Sequence, residues 1–160
     1  MEHTTTSERF DVAYMRMAME WAALSRAQRR QVGALIVKGN QIISDGFNGS
    51  PGGFNNACEG DDGKPLPHVL HAESNAITKL ARSTQSSAGA TMYTTTAPCF
   101  DCAKLIIQAG LDRVVYNDLY TNSQGVSLLQ EAGVETAQVL LEEVPKLTGN
   151  VSSKQLNEQQ

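Results

Sequence analysis

Apolar and polar positions alternate along the chain in a way that predicts an ordered series of helices and strands. Residues 8–24 have apolar side chains at helical spacing and predict a first helix, with Ser7 as its candidate cap. Two apolar runs flank the sequence KGN, which favours a turn, and this arrangement is typical of a β-hairpin. The pattern as a whole predicts strands at 32–37, 41–47, 90–95, 113–117 and 135–141, and further helices at 71–82, 99–109 and 123–132.

The order of these elements predicts an α/β fold built on a mixed five-stranded sheet with helices on both faces. A helix between consecutive strands makes those strands parallel, so a parallel portion follows the antiparallel hairpin. Gly110 and Gly133 stand just after two predicted helices, where a residue with positive φ is favoured. We expect one domain over residues 1–145 and a frayed tail over 146–160, because the tail has few core-forming side chains.

One segment, 48–67, interrupts the pattern with a high content of Gly, Pro, Asn and Asp. This composition predicts a long loop between the hairpin and the next helix. Long loops inside compact domains usually carry function. We therefore expect this loop to border a functional site.

Composition narrows the class of protein. The chain has 160 residues, of which 41% are hydrophobic and 19% are charged, as is typical of a globular domain with its own core. A formal net charge of −4 argues against a large surface for duplex nucleic acid, but it is compatible with a small anionic ligand. The sequence has no apolar run of about 18 residues and no apolar leader, so we expect a cytoplasmic protein without a membrane span.

The cysteines are the first candidates for chemistry. Three cysteines in a chain without a leader favour metal binding or catalysis over a disulfide scaffold. Cys99 and Cys102 stand three positions apart at a predicted helix start, behind Pro98, so both side chains can face one metal ion. The pair taken by itself is also compatible with a redox pair or with half of a structural zinc site.

His71 and Glu73 change that balance. Helices that follow parallel strands begin at the same edge of a sheet, so His71 can meet the two cysteines there. One nitrogen and two sulfur ligands leave the fourth position of a tetrahedral Zn²⁺ ion to water, which is the arrangement of a catalytic site. Glu73 then stands beside the metal, where a carboxylate can accept a proton from that water. The alternative is a core histidine, a surface glutamate and an inert cysteine pair.

These residues carry a resemblance to a known family. The segments HAE at 71–73 and PCFDC at 98–102 match the H-x-E and P-C-x-x-C signature of zinc-dependent deaminases. From near residue 10 to near residue 135 the chain resembles deoxycytidylate (dCMP) deaminases, within the zinc-dependent cytidine and deoxycytidylate deaminase family. The matching segments are QVGALIV, GFNGSPGG, HAESNAI, MYTTTAPCFDCAKLIIQAG and EAGV.

The resemblance implies a fold, a reaction and a cofactor. The fold would be the three-layer sandwich of cytidine deaminases. The reaction would be the zinc-dependent hydrolysis of dCMP to dUMP and ammonia, which supplies dUMP for thymidylate synthesis. His71, Cys99 and Cys102 would bind the Zn²⁺ ion, and Glu73 would be the catalytic residue. Activity on dCTP as a second substrate is left open.

The resemblance also implies substrate contacts. Asn48 would reach the nucleotide sugar, and Arg26, six positions before Val32, would face the 5′-phosphate. The backbone of three further residues would read the cytosine edge, namely Ala72, Thr96 and Ala97. Apart from the resemblance, the position of Tyr120 after the fourth predicted strand makes it a candidate for a substrate contact.

Each of these contacts has a simpler alternative. Asn48 and Gly49 can form a plain turn. The arginines of SRAQRRQ (25–31) can be a solvated helix end, although their position just before the first strand favours at least one contact with a phosphate. Tyr116 and Tyr120 can stack on a base or simply pack.

Regulation is a further implication of the resemblance. Members of the family typically form hexamers that dCTP activates together with Mg²⁺ and that dTTP inhibits. The resemblance assigns the effector contacts to the start of the glycine-rich segment, which is Gly46, Phe47, Asn48 and Gly49. Phe47 replaces the tyrosine that is usual in the family, which keeps the ring and removes the hydroxyl. Four glycines between 46 and 53 would give this loop access to more than one backbone state.

One departure from the family limits the expected metal content. Some phage members hold a second, structural zinc ion with an extra cysteine before the first strand and another in the glycine-rich loop. Cys58 is a candidate for the loop position, but Ala27 and Gln28 stand where its partner would be. We therefore predict one zinc ion per subunit.

Two other functions remain as alternatives, a tRNA adenosine deaminase and a non-catalytic module with structural zinc.

Overall fold

The computed structural model of the chain describes residues 5–119 and 122–141. In these two stretches the elements are α1 (Thr6–Ala22), β1 (Gly33–Lys38), β2 (Gln41–Phe47), α2 (Ala72–Leu80), β3 (Thr91–Thr96), α3 (Phe100–Gln108), β4 (Arg113–Asp118), α4 (Gln124–Glu131) and β5 (Glu135–Gln138). This is the predicted order. The predicted domain end at 145 and the predicted tail 146–160 lie outside the described residues. Among the helices given above, none combines the length and the apolar content needed to cross a membrane.

The five strands form one sheet in the order β2-β1-β3-β4-β5. β1 pairs antiparallel with β2 and with β3, whereas β3, β4 and β5 run parallel. Gly39 and Asn40 both have a φ of 57°, which is the conformation of a two-residue hairpin turn of type I′. The mixed five-stranded sheet expected from the sequence is therefore confirmed.

Helices cover both faces of this sheet, as expected. On one face, α2, α3 and α4 share a core with alternate strand residues, and it includes Ile36, Ala76, Met92, Ile106, Val114 and Leu129. On the opposite face α1 packs on the sheet through a second core, which includes Met15, Ala18, Leu35, Tyr93 and Val115. Neighbouring strand residues serve different cores because successive side chains point to opposite faces of a sheet. The result is a three-layer sandwich.

The first helix begins earlier than the sequence analysis expected, because its N-cap is Thr5 and not Ser7. The Thr5 hydroxyl accepts a hydrogen bond from the Glu8 backbone N–H at 3.2 Å, and the Glu8 carboxylate accepts one from the Thr5 N–H at 2.6 Å. This capping box satisfies two donors that the helix leaves unpaired. The prediction of Ser7 was wrong because the residue three positions after it is Phe10, which cannot complete such a box.

A buried ion pair fixes α1 to the sheet. Two nitrogens of Arg113 donate to the two carboxylate oxygens of Asp11, each at 2.8 Å, and the Tyr93 hydroxyl donates to Asp11 at 2.7 Å. Burial alone would raise the pKa of the Asp11 carboxyl, but the hydrogen bonds from Arg113 and Tyr93 and the charge of Arg113 outweigh burial and lower it. The network joins α1 to β3 and β4.

The carboxyl ends of β3 and β4 lie at one edge of the sheet because these strands are parallel. β3 ends at Thr96, just before the turn that leads into α3, and β4 ends at Asp118. Gly110 and Gly133 follow α3 and α4 with φ of 76° and 82°, as predicted for residues that end helices. The edge formed by Thr96 and Asp118 is where the candidate residues meet.

Candidate functional site

Two helix starts bring three potential metal ligands together. His71 and Cys99 are the N-cap residues of α2 and α3, and Cys102 lies in the first turns of α3. The Nδ1 atom of His71 lies 3.5 Å from the Cys99 Sγ atom and 3.4 Å from the Cys102 Sγ atom. All three ligand atoms lie within 4.8 Å of one another.

These separations fit a tetrahedral Zn²⁺ ion. A Zn–N bond of about 2.0 Å and a Zn–S bond of about 2.3 Å at a tetrahedral angle separate nitrogen from sulfur by about 3.5 Å. Neither cysteine is in a disulfide. The donor set of one imidazole and two sulfurs therefore suits zinc, and it fills three of four tetrahedral positions.

Local hydrogen bonds favour the thiolate form of Cys99, which is the form that binds metal. Hydrogen bonds from the Cys102 thiol and from His71 lower the pKa of Cys99 to about 4. The backbone N–H of Cys102 also donates to the Cys99 sulfur at 3.4 Å. Because Cys99 caps α3, the positive end of the helix dipole acts in the same direction.

Glu73 lies beside these ligands in the first turn of α2. Its side chain is buried, with 4% of the residue exposed, and it lines the same pocket as His71 and Cys99. Burial raises the pKa of the Glu73 carboxyl above its ordinary value. A carboxyl with a raised pKa can both accept and return a proton during a reaction, as general acid and base catalysis requires.

The pocket that contains these groups also has on its wall four of the residues assigned to the substrate, namely Asn48, Ala72, Thr96 and Ala97. Of the two tyrosine candidates, Tyr116 is buried in β4 and does not line this pocket, and Tyr120 lies outside the described residues. Ala72 begins α2, so its N–H has no acceptor within the helix. The Ala97 N–H donates to the Asp118 carbonyl at 2.7 Å. The backbone group of Ala97 that can contact a base is therefore its carbonyl oxygen.

The arginines that precede β1 are divided between the pocket and the solvent. Arg29 and Arg30 line the pocket. Arg26, which the resemblance assigned to the phosphate, is exposed and is not among the lining residues. The structure thus adds Arg29 as a candidate for the phosphate contact on geometric grounds.

Arg30 joins the ends of two strands. Its Nε atom donates to the Thr96 hydroxyl at 3.1 Å, and its Nη2 atom donates to the Asp118 carboxylate at 2.5 Å. Thr96 ends β3 and Asp118 ends β4, so Arg30 holds together the edge of the sheet behind the pocket. Sequence reasoning missed this role because the partners are 66 and 88 residues away from Arg30.

The side chain of Asn48 is tied to the segment that precedes β1. Its Oδ1 atom accepts from the Val32 N–H at 2.8 Å, and its Nδ2 atom donates to the Arg30 carbonyl at 2.8 Å. The Ser25 hydroxyl donates to the Asn48 carbonyl at 2.7 Å. Asn48 therefore positions the arginine segment, and a contact with a sugar would use its second amide proton or its second lone pair.

The segment assigned to the effector begins in a strand and not in a loop. Gly46 belongs to β2, where an added Cβ atom would overlap the Ala72 carbonyl oxygen and would lie 2.7 Å from the Ala76 nitrogen. Gly49 pairs with Leu70 through hydrogen bonds of 3.1 and 2.9 Å. Gly46 thus allows α2 to pack closely on β2. The backbone freedom that was expected of residues 46–53 is therefore restricted at Gly46.

The long loop contributes three further residues to the pocket, namely Cys58, Glu59 and Pro65. One carboxylate oxygen of Glu59 accepts hydrogen bonds from the backbone N–H groups of Gln28 and Arg29, at 3.0 and 3.2 Å. Cys58 is buried on the pocket wall and is not part of the group of metal ligands. The loop borders the site as predicted, but no motif in the sequence pointed to Glu59.

Comparison with known proteins decides the family. The family model described as "Cytidine and deoxycytidylate deaminase zinc-binding region" matches residues 8–118. The chain belongs to this family. The expected membership is confirmed, and the zinc-binding region of the family contains all of the candidate metal ligands.

Individual members of the deaminase family show the same similarity. The deoxycytidylate deaminase of Schizosaccharomyces pombe is 37% identical over 143 residues, covering 82% of this chain and 44% of the relative. The deoxycytidylate deaminase of Enterobacteria phage T4 is 34% identical over 160 residues, covering 73% of this chain and 83% of the relative. The crystal structure of the dCMP deaminase from the cyanophage S-TIM5, in complex with dCMP and dUMP, superimposes with a TM-score of 0.80 and 40% identity, covering 86% of this chain and 100% of that one.

The deaminase fold expected from the resemblance is confirmed by the cyanophage structure. The chain spans less than half the length of the fission-yeast relative.

Proposed function

We propose that this member of the deaminase family converts dCMP and water to dUMP and ammonia in a zinc-dependent reaction. The observation that carries the proposal is one pocket whose wall contains two of the three candidate zinc ligands, the buried Glu73 and two arginines. The first two features suit a hydrolytic deamination, and the arginines suit a 5′-phosphate. Relatives named deoxycytidylate deaminase support a cytosine nucleotide as the substrate.

His71, Cys99 and Cys102 would hold the zinc ion. When bound, zinc supplies acidity to a water molecule, which makes that water a nucleophile near neutral pH. The two cysteines contribute negative charge and the helix starts fix their positions. Residues of the chain would carry out the proton transfers and would bind the base and the phosphate.

Glu73 moves the protons. Its carboxylate accepts one proton from the attacking water while the water oxygen forms a bond to C4 of the cytosine, and it delivers that proton to N3. The second proton of the water then passes through Glu73 to the amino nitrogen. The C4–N bond breaks, ammonia leaves and a C4=O group remains, so the two protons and the oxygen of one water are accounted for.

The backbone of the pocket offers suitable groups for the base. Cytosine presents a donor at its N4 amino group and an acceptor at O2. The Ala72 N–H at the start of α2 is a donor, and the Ala97 carbonyl after β3 is an acceptor. Backbone groups held by regular elements are fixed in direction, so they suit the recognition of one base edge.

Arg29 is the residue that we assign to the 5′-phosphate. It lines the pocket, whereas Arg26 does not, and Arg30 already pairs with Asp118 and Thr96. A guanidinium group matches the geometry of a phosphate and keeps its charge at all relevant pH values. This contact would favour dCMP over deoxycytidine.

The two alternatives predict different features. A tRNA adenosine deaminase would need a basic surface for its substrate, but the chain has a formal net charge of −4. A structural zinc site would have four protein ligands and no need for a buried carboxylate. Within residues 5–119 and 122–141 the group has three members, and Glu73 lines the same pocket as two of them. Both observations favour the deaminase of a small nucleotide.

Ammonia release tests the proposal. The zinc-loaded protein should form dUMP and ammonia from dCMP, with much less ammonia from deoxycytidine and none from an RNA anticodon stem. Glu73→Gln should bind zinc normally and lose about 10²–10⁴-fold in turnover, because the proton transfers lose their carrier. Near-normal turnover in Glu73→Gln would contradict the role of Glu73. Zinc binding without deamination of any substrate would support the structural module.

The regulatory part of the proposal rests on the family resemblance. We propose a hexamer that dCTP activates with Mg²⁺ and that dTTP inhibits, through contacts at Gly46, Phe47, Asn48 and Gly49. The position of Asn48 on the pocket wall supports a link between this segment and the active site. A cytoplasmic location and activity on dCTP also stay predictions.

A further inference from the structure

The first turn of α4 lies directly against the turn that carries Cys99. A Cβ atom added to Gly125, near the start of α4, would overlap the Pro98 carbonyl oxygen. The same Cβ atom would lie 2.9 Å from the Cys99 carbonyl carbon and 2.9 Å from the Cys99 carbonyl oxygen. The two backbones can hold their present positions only because residue 125 has no side chain.

Neither α4 nor the turn at Pro98 and Cys99 can shift easily to relieve such an overlap. Pro98 is fully buried, and α4 is anchored by Val126 and Leu129, which are 6% and 0% exposed. Leu129 belongs to the same core as Ile106 of α3, so both helices share one packed layer. Close-packed interiors transmit a displacement and do not absorb it.

The contact bears on the peptide that leads into a metal ligand. Zinc requires the Cys99 and Cys102 sulfurs to stay near their present 3.5 and 3.4 Å from His71 Nδ1. Metal–ligand distances tolerate deviations of about 0.2 Å. Moving a methyl group from 2.9 Å to an ordinary contact beyond 3.4 Å would exceed that tolerance if the Cys99 turn took up the shift.

We propose that Gly125 is a positioning residue of the metal centre, through which α4 acts as a rigid support that fixes the Cys99 sulfur. A glycine inside a helix costs about 1 kcal/mol relative to alanine, and the contact with the Cys99 turn explains why the position holds one. The inference rests on the zinc site of the proposed function, but it does not depend on the identity of the substrate.

Metal binding by Gly125→Ala tests this inference without reference to activity. We expect the affinity for Zn²⁺ to fall about 10- to 100-fold, as is usual when a group that orients a metal ligand is lost. In the Co²⁺-substituted protein, the ligand-field bands and the thiolate-to-metal charge-transfer bands should shift, because the Cys99 sulfur moves. Wild-type zinc affinity together with a wild-type cobalt spectrum would overturn the proposal.

The chain offers two matched controls. In Gly33→Ala the new Cβ atom would overlap the Ala18 carbonyl oxygen and lie 2.6 Å from the Ala22 nitrogen, so the same kind of clash displaces α1 on the opposite face of the sheet. This variant should lower the unfolding temperature but keep the cobalt spectrum. Gly52→Ala, with open space around the new atom, should change neither. An equal spectral shift in Gly33→Ala would also overturn the proposal.

A measurement on the unaltered protein covers the case in which Gly125→Ala does not fold. The Ser127 N–H donates to the Ser123 carbonyl at 2.8 Å in the first turn of α4. Adding Zn²⁺ to the metal-free protein should slow hydrogen exchange at Ser127, because a fixed Cys99 turn supports the helix, and should leave α1 unchanged. Unchanged exchange at Ser127 would contradict the coupling. Zinc binding with these effects but without deamination of dCMP would overturn the proposed function and leave this inference intact.

Discussion

The chemistry of single residues in this site depends on where they stand in their helices. Cys99 and His71 are N-cap residues, and Glu73 is in a first turn, so backbone N–H groups and helix dipoles act on all of them. Cys58, by contrast, is a buried loop residue whose thiol pKa is raised by burial and by the neighbouring charge of Glu59. The same residue type is therefore a candidate metal ligand at one position and a buried thiol with a raised pKa at another.

The metal ligands and Cys58 should respond differently to substitution. Cys99→Ala, Cys102→Ala and His71→Ala should each lose zinc and activity, because two ligands hold the ion poorly. Cys58→Ser is the matched control and should keep both. Zinc content by atomic absorption checks the prediction, and two zinc ions per chain, or loss of zinc from Cys58→Ser, would contradict the assignment of one site.

The two exposed arginines before β1 allow a test of phosphate recognition. Arg29→Ala should weaken the use of dCMP far more than that of deoxycytidine, by about 1.5–3 kcal/mol or roughly ten- to a hundredfold in kcat/KM, because a charge-assisted contact with a dianion is lost. Arg26→Ala is the control and should have a smaller effect, since Arg26 is not on the pocket wall. A larger effect of Arg26→Ala than of Arg29→Ala would contradict the assignment of Arg29 and would support Arg26 as the phosphate contact.

At the scale of elements, α1 depends on a polar anchor more than its apolar spacing suggests. Asp11 is 5% exposed and binds Arg113 of β4 and Tyr93 of β3 across a core that is otherwise apolar. A buried carboxylate of this kind is stable only while its partners are present. The anchor fixes α1 at one position on the sheet.

Asp11→Asn should lower the free energy of unfolding at neutral pH by about 3 kcal/mol, because it leaves Arg113 without its buried charge partner. The pKa of Asp11 is lowered in the folded protein, so its contribution is complete above the unfolded value near 3.8 and is lost as the pH falls through the lower folded value. The variant should therefore lose less stability than the wild type on acidification below pH of about 4.

Urea unfolding at several pH values measures both effects. The control is Glu135→Gln, which removes the other carboxylate that Arg113 contacts, at 2.8 Å. The Glu135 side chain is 67% exposed, so this change should cost no more than about 1 kcal/mol. Equal losses in the free energy of unfolding in the two variants would show that the burial of Asp11 does not make its ion pair more important for stability.

At the scale of the whole molecule, the pocket combines parts that no single element contains. Its wall is made by the segment before β1, the end of β2, the long loop, the start of α2, the turn after β3 and the turn before α4. The side chains of Asn48 and Glu59 connect the first three of these parts through hydrogen bonds to backbone groups. A change in one segment therefore bears on the shape of the whole pocket.

The family resemblance leads to a prediction on regulation at this scale. We expect sigmoidal dCMP kinetics that dCTP with Mg²⁺ makes hyperbolic and that dTTP suppresses, with a coupling of about 1–3 kcal/mol. Phe47→Ala should blunt both effects, since Phe47 ends β2 beside Asn48 and the resemblance assigns its ring to the effector. Initial rates and sedimentation measured with each triphosphate test the prediction. Hyperbolic kinetics from a monomer that ignores both would exclude the regulation and leave the chemistry unaffected.

The sequence by itself determined the order of elements, the sheet type and the residues that form the metal-ligand group. Each of these follows from a short-range pattern. Apolar spacing reports helix or strand, a glycine after a helix reports its end, and HAE with PCFDC reports ligands at two helix starts. Short-range signals of this kind are independent of the rest of the chain. The N-cap of α1 is also set by such a signal, the capping box of Thr5 and Glu8, which apolar spacing does not report.

Only the tertiary structure decided which arginines reach the pocket, how the Asn48 amide is used, and why residue 125 is glycine. These roles arise from contacts between distant parts of the chain, such as the 88 residues between Arg30 and Asp118 and the 102 residues between Arg113 and Asp11. Side chains of the same type are equivalent in the sequence, and packing alone distinguishes them. A charge or a missing Cβ atom acquires its role only when the fold brings a specific partner within contact distance, and no periodicity along the chain encodes that partner.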